Sequence, residues 1–309
     1  MEVLWVISTV AVNCYIMISG YFLIHKTEHR WNGILKVLTE TIFYSLIIYI
    51  ITTFVLHEEF RLTSFAQEIF IIYFQQYWFI NFYIALMLLA PYISIMVKQM
   101  NKKQYQSLLL IMLILCFQLP YGKIFGGFAS IPYFTLLYLT AGYIRIYSVP
   151  KFLKTNSLVL TFLFIICFVT LTFIYNIFIV KQPITELSLR STEYNGPIYF
   201  LSILFFLIFI VKPTLKGWIP QIFIRVAPYT LGVYLIHDNH IIRTFLWDYI
   251  FDKGQITSHY IIFQCIIICA TIFFTCILID YLRYKLFTAL HINNLLNNLS
   301  EHITNKCSK

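Results

Sequence analysis

The sequence predicts an all-α, polytopic transmembrane helical bundle, and three observations carry that expectation. Of 309 residues, 60% are hydrophobic and 11% charged, with a mean hydropathy of +0.79. That is more apolar surface than a soluble domain of this size can hide, so lipid is the solvent for most of the chain. Apolar runs of 15 to 24 residues recur along the whole length, and about 20 residues of helix cross a hydrocarbon core ~30 Å thick. Glycine and proline are too sparse for a barrel, whereas a helix satisfies its backbone polar groups within its own segment.

Taken in order, the apolar runs predict nine spans: 3–24, 35–56, 77–96, 105–119, 131–147, 157–180, 196–211, 226–246 and 259–282. Nine crossings place alternate loops on alternate sides. With Lys36 and Arg145, at the ends of their spans, counted with the adjoining loops, sixteen of the 22 Lys and Arg fall on one side and five on the other, and Arg243 stays inside a span. By the positive-inside rule the richer side is cytoplasmic, and the C-terminus with it, as for an inner-membrane protein. The net charge of +9 thus reports topology, and no nucleic-acid partner is expected. The same alternation puts Met1 outside.

Residues 1–285 read as a single transmembrane domain, and 286–309 as a polar cytoplasmic tail. Within the tail Ile292, Leu295, Leu296, Leu299 and Ile303 recur at helical spacing, the pattern of a helix lying on a lipid surface. The connections 57–68 and 181–195 read as short polar external loops. The glycine-rich stretch 120–130 reads as an external turn, since no strand precedes it and no phosphate-binding lysine follows the P-loop pattern. Of seven cysteines all but Cys307 sit in apolar runs, which predicts small buried hydrophobes with neither a disulfide frame nor a zinc site. The opening run lacks a basic n-region, so no cleavable signal peptide is expected.

Polar residues inside or beside the spans are the candidates for chemistry. His25-Lys-Thr-Glu28-His29 fits an H-x-x-E-H peptidase pattern, but no folded domain surrounds it to supply a third ligand; it reads as a solvated juxtamembrane stretch. Ser19, Gly20 and Tyr21 interrupt the first span near its cytoplasmic end. Small residues there let helices pack closely, or else form the polar floor of a cavity. Trp78 is an interfacial aromatic and Asn81 lies one turn deeper, both candidates for substrate contact.

The run Val226 to Ile242 is the centre of the reading. Pro228 stands where a helix likes to start, and His237 then falls ~13 Å along, near the bilayer middle. An ionisable group at that depth marks a pathway or a reacting site; the other reading is a helix that ends early and leaves His237-Asp-Asn-His240 in water. Tyr234 and His237 share a face at i,i+3, and Asp238 is within reach of Arg243. Such a histidine is either a general base or a packed, hydrogen-bonded side chain without chemistry.

Four stretches together resemble the integral-membrane acyltransferase-3 family. They are Ile16-Met-Ile-Ser19-Gly20-Tyr21-Phe-Leu, Tyr77-Trp78-Phe79-Ile80 running to Ala90-Pro91-Tyr92, Tyr138-Leu-Thr-Ala-Gly142-Tyr143, and Tyr229-Thr-Leu-Gly232-Val-Tyr234-Leu-Ile-His237. The likeness covers most of 11–282. It implies an O-acyltransferase that takes an acyl group, acetyl by family habit, from cytoplasmic acyl-CoA to a hydroxyl of an envelope glycan. No bound cofactor is implied, since acyl-CoA is a donor substrate. Ser19, Tyr21, Tyr234 and His237 become the catalytic candidates, and Lys26, Arg30 and Lys36 the candidates for the CoA phosphates. Partners would be the bilayer, the glycan acceptor and glycan-assembly proteins.

The resemblance also sets an expectation about the first helix. Members usually have ten spans and open with a helix bearing an arginine and, about ten residues on, a catalytic histidine. The first span here matches the family's second, so that histidine corresponds to no residue of this sequence. Either the recorded start falls late or the chain has lost transfer activity. Two rival readings stand beside the enzyme: a transporter or flippase for a glycan or its lipid-linked precursor, with midplane polar residues lining the path, and a non-catalytic partner in a glycan-assembly complex.

Overall fold

The computed structural model describes residues 2–55, 59–117, 131–149, 159–160, 162–167, 170, 196–211, 217–246 and 261–307. Among them every regular element is helical, as the composition predicts. In chain order the helices are α1 (Glu2–Leu23), α2 (Trp31–Val55), α3 (Leu62–Ile69), α4 (Trp78–Lys98), α5 (Lys102–Phe117), α6 (Ile131–Tyr147) and α7 (Gly196–Val211). There follow α8 (Trp218–Val226), a 3₁₀ turn (Ala227–Tyr229), α9 (Thr230–His237), α10 (His240–Thr244), α11 (Ile261–Ala289) and α12 (Ile292–Cys307).

Among the described residues three stretches, Trp31–Val55, Trp78–Lys98 and Phe263–Ala289, are long and apolar enough to cross a membrane, and Val10–Leu23 and Ile198–Val211 are shorter apolar helices. Their outward residues, such as Phe54, Phe209, Phe263 and Phe274, are large and apolar. In water that surface would be an aggregation hazard; in lipid it is a solvated face. The spans 131–147 and 196–211 coincide with α6 and α7. Most of 157–180, the loop 181–195 and the stretch 120–130 lie outside the described residues.

One span differs from its expectation. The segment 226–246 is not one helix but a 3₁₀ turn, α9, a break at Asp238–Asn239, and α10. Pro228 sits inside the turn and does not open a long helix. Lacking an N–H, and with a ring that crowds the carbonyl four residues back, it stops α8 at Val226. Two connections also carry helices: α3 starts at Leu62 within 57–68, and α8 occupies Trp218–Val226 before the span. Past residue 285, α11 continues to Ala289, and α12 forms over Ile292–Cys307.

The chain divides into two compact units, residues 1–29 with 82–215, and 30–81 with 216–309. In the first unit α1 packs along α6 and α7, with α5 against α6. Close approach is permitted by glycine: a Cβ at Gly20 would stand 2.3 Å from the backbone oxygen of Tyr138, and one at Gly142 would stand 2.6 Å from the Ile24 side chain. Buried Asn13 on α1 donates to Tyr133 of α6 and to Ser202 of α7, each at 2.9 Å. Satellite apolar clusters form around Val10, Ile198 and Leu201, and around Val149, Leu160, Leu207 and Ile208.

In the second unit α2 carries α3, α9, α10 and α12, and α9 lies along α11. Gly232 of α9 is the close approach here, because a Cβ would stand 2.3 Å from the Asp280 carboxylate on α11. At the other end Asn32 of α2 donates to Asn297 of α12 at 2.7 Å, and Leu296 of α12 is buried.

The motif glycines therefore make a direct prediction. Gly20→Ala must shift backbone and should destabilise by about 1–3 kcal/mol. Gly33→Ala, with nothing within 4 Å of the added methyl, should leave stability unchanged or slightly raised. Thermal unfolding of detergent-solubilised protein checks both, and equal midpoints for the two variants would contradict the packing account.

Candidate functional site

The polar groups of the second unit gather at the end of α9. The helix stops at His237, Asp238 follows in a helical conformation, and Asn239 is extended (φ −55°, ψ 133°) before α10 restarts at His240. Such a break in an apolar segment strands backbone groups that lipid cannot satisfy. Three of the observed bonds take up such backbone groups, and a fourth ties the two capping side chains together. The Asn239 Oδ1 accepts from the Ile241 amide at 3.0 Å, and the Asn239 carbonyl accepts from the Arg243 amide at 2.7 Å. The Tyr77 hydroxyl donates to the Leu235 carbonyl at 2.9 Å and accepts from Asn239 Nδ2 at 2.9 Å.

His237 is half-buried at the helix end. Its Nδ1 lies 2.6 Å from the Val233 carbonyl. A carbonyl can only accept, so Nδ1 carries the proton, and in the neutral ring Nε2 keeps its lone pair. Tyr234 stands beside it, ring centroids 6.5 Å apart and edge-on, and packs between Tyr77 at 6.0 Å and Phe79 at 5.7 Å. The Tyr234 hydroxyl is buried without a hydrogen bond of ordinary geometry; its polar neighbours include the Phe79 backbone and the Asp238 carboxylate. Asp238 pairs with Arg243 at 3.3 Å, the pairing the sequence spacing indicated.

Behind α9 lies a buried charge network. Arg283 donates through Nε and Nη2 to both carboxylate oxygens of Asp280, each at 2.9 Å. It also donates through Nη1 to Glu40 at 3.0 Å, while the Tyr44 hydroxyl donates to Asp280 at 2.7 Å. The bidentate geometry and the extra donors make this a network that can offset its own desolvation. With Asp280 against Gly232, it fixes where α9 rests on α11.

The other sequence candidates are placed as follows. Trp78 and Asn81 are half-buried at the start of α4, in the second unit with Tyr77. Ser19 and Tyr21 belong to the first unit. The Ser19 hydroxyl lies 3.4 Å from that of Tyr83, and Tyr21 accepts from Arg145 at 3.3 Å, with the guanidinium also 4.9 Å from its ring centre. Of the basic trio, exposed Lys26 lies in the first unit, whereas exposed Arg30 and half-buried Lys36 lie in the second. His29 meets the Leu88 carbonyl at 3.1 Å and stands edge-on to Tyr92.

Tyr77, Asn239, Asp280 and Arg283 were not candidates from the sequence. Asn239 had a visible signal, since Asn is a favoured N-cap and His240 resumes an apolar helix. Tyr77 opens one of the four stretches that carry the family resemblance, but nothing in its spacing pointed to α9. Asp280 and Arg283 could have been noticed as an i,i+3 pair of opposite charge at the end of a span.

The deciding comparison is with protein families: a family model described as an acyltransferase domain matches residues 1–280. The chain belongs to the acyltransferase-3 family. Nothing matches it among curated proteins or solved structures. For this acyltransferase-3 protein, membership supports an acyltransferase activity in a membrane setting, in agreement with the apolar helices. The four stretches that carried the resemblance now have physical places: Gly20 and Gly142 at the crossing of α1 and α6, Tyr77 at the helix break, and Gly232, Tyr234 and His237 along α9.

Arg283 provides the test of the charge network. Arg283→Met leaves Asp280 and Glu40 without their shared cation and should cost about 3–5 kcal/mol. The expected outcome is a lower unfolding midpoint and a lower folded yield. A triple replacement of Arg283, Asp280 and Glu40 by apolar residues of similar volume should recover much of the loss.

Proposed function

We propose that this protein is an O-acyltransferase of the cell's inner membrane, its C-terminus cytoplasmic, which moves an acyl group, acetyl in the simplest case, from cytoplasmic acyl-CoA to a hydroxyl of an envelope glycan. The observation that supports the reading best is His237, whose Nδ1 is occupied by the Val233 carbonyl, so that the lone pair of Nε2 is left for a substrate proton. Acyl transfer to a hydroxyl needs a base for the attacking oxygen and a donor for the charge that develops on the carbonyl. On this reading His237 Nε2 takes the hydroxyl proton as oxygen attacks the thioester carbon. The C–O ester bond forms, the C–S bond breaks, and the proton passes on to the departing thiolate. The buried Tyr234 hydroxyl, which has no hydrogen bond of ordinary geometry, is the proposed donor for the oxyanion.

Trp78 and Asn81, near Tyr77 in sequence, are proposed to contact the acceptor sugar. Lys26, Arg30 and Lys36 are proposed to meet the donor phosphates, and Ser19 and Tyr21 to line the donor's approach in the first unit. Glycan-assembly proteins are the partners this role would need.

The test is transfer of label from acetyl-CoA to glycan in vesicles holding the full chain. His237→Ala should lower turnover by roughly 10²- to 10⁴-fold, the range for loss of a general base, and Tyr234→Phe by a smaller factor. Undiminished transfer by folded His237→Ala protein would remove the proposed base. Glycan crossing the membrane unlabelled would point to a transporter.

A further inference from the structure

We infer that Tyr77 and Asn239 act together as positioning residues, holding the end of α9 so that the Nε2 of His237 is presented in one tautomer and one direction; this rests on the proposed role of His237. The pair is more than a local cap. Tyr77 precedes α4 and Asn239 follows α9, 162 residues apart, and both are buried, at 2% and 1% exposure. The Tyr77 hydroxyl uses both its capacities. It donates to Leu235, two residues before His237, and accepts from Asn239, two residues after it. The histidine is therefore bracketed on both sides by one phenolic oxygen.

The bracket explains why the chain breaks where it does. If α9 continued, the next turn would cover the end of the helix at which the His237 ring sits, and the Leu235 carbonyl would bond a helical amide. Instead Asn239 is extended, and its side chain replaces what the helix gives up, capping Ile241 with Oδ1 while Nδ2 reaches Tyr77. Asparagine is suited to this double use, having an acceptor and donors on one short stem. The stop at His237 keeps its ring at the helix terminus, and the bond from Nδ1 to Val233 then selects which nitrogen stays basic. Tyr77 adds a second constraint by packing its ring against Tyr234, so the same residue orients both members of the proposed pair.

Two variants cut the link in different places. Tyr77→Phe keeps the ring and removes the hydroxyl. Asn239→Asp keeps the cap acceptor for Ile241 and removes the donor to Tyr77. Each should lower kcat by on the order of 10- to 100-fold, the scale of a misplaced catalytic group, with KM for acetyl-CoA near wild type. The double variant should lose little more than either single one, because both break one bridge.

Nitrogen NMR of histidine-labelled protein, with the His237 signal assigned by its absence in His237→Ala, supplies a readout independent of turnover. The wild type should show Nδ1 protonated, and both variants a mixture of tautomers. Folded variants that keep wild-type kcat and the wild-type ring signature would overturn the inference, as would a loss confined to folded yield. If His237→Ala itself retains transfer while the two variants alter the ring signature, the bracket stands and the proposed base falls.

Discussion

Hydrocarbon offers no hydrogen bonds, and that constraint governs nearly every polar side chain described here. In water an Asn, a Tyr or a broken helix end can turn to solvent; in lipid each must find its partner within the protein or lose several kcal/mol. Much of the polar interior is accordingly paired, with the Tyr234 hydroxyl among the exceptions. Asn13 bridges two helices of the first unit, Tyr77 and Asn239 seal the break after α9, and Arg283 is shared between two carboxylates. Their energies differ. Hydrogen bonds between membrane helices average about 0.6 kcal/mol and reach about 1.7, whereas a buried charge stripped of its partner costs about 3–5 kcal/mol. The Asp280–Arg283–Glu40 network thus constrains the second unit more strongly than any single neutral bond does.

That difference fixes the order in which the site is built. The charge network sets Asp280, Asp280 sets how close α9 comes through Gly232, and α9 carries Tyr234 and His237 along one face. The weaker bonds of Tyr77 and Asn239 decide only where α9 ends. A strong interaction places the helix and weaker ones shape its terminus, which is the part that chemistry uses. The first unit follows the same scheme in neutral form, with glycine at the crossing and Asn13 as the bridge.

Much of the fold was legible because lipid makes sequence simple. A long apolar run bounded by polar or turn-forming residues reads as a helix, so the bounds of α6 and α7 match the expected segments residue for residue. The spans that end in polar sequence were harder: α2 begins at Trp31, four residues before its apolar run, and in that added turn Asn32 bonds Asn297 of α12. The interrupted span was misread for a related reason. Its apolar run is interrupted by His237-Asp-Asn-His240 and resumes at Ile241, which reads equally as a polar patch within one helix, and hydropathy does not register that Pro228 and Asn239 end helices. At the site, Tyr234, His237 and the Asp238–Arg243 pair were visible because helical spacing brings them together. Tyr77 and Asp280 were not, since each meets α9 from another helix, and no periodicity within one segment encodes a contact across 158 residues of chain.

Where a helix ends matters to the chemistry as much as which residue stands there. A histidine in mid-helix has its ring flanked by side chains of the turns before and after, and in lipid both of its nitrogens would need protein partners. At a terminus the preceding turn still supplies one carbonyl, four residues back, while nothing in the following turn covers the second nitrogen. Ending α9 at His237 therefore satisfies one nitrogen and leaves the other available, a division that a continuous helix would not make. The broken span and the proposed base are in that sense one feature: the break supplies the open position, and the residues that close the break hold it there.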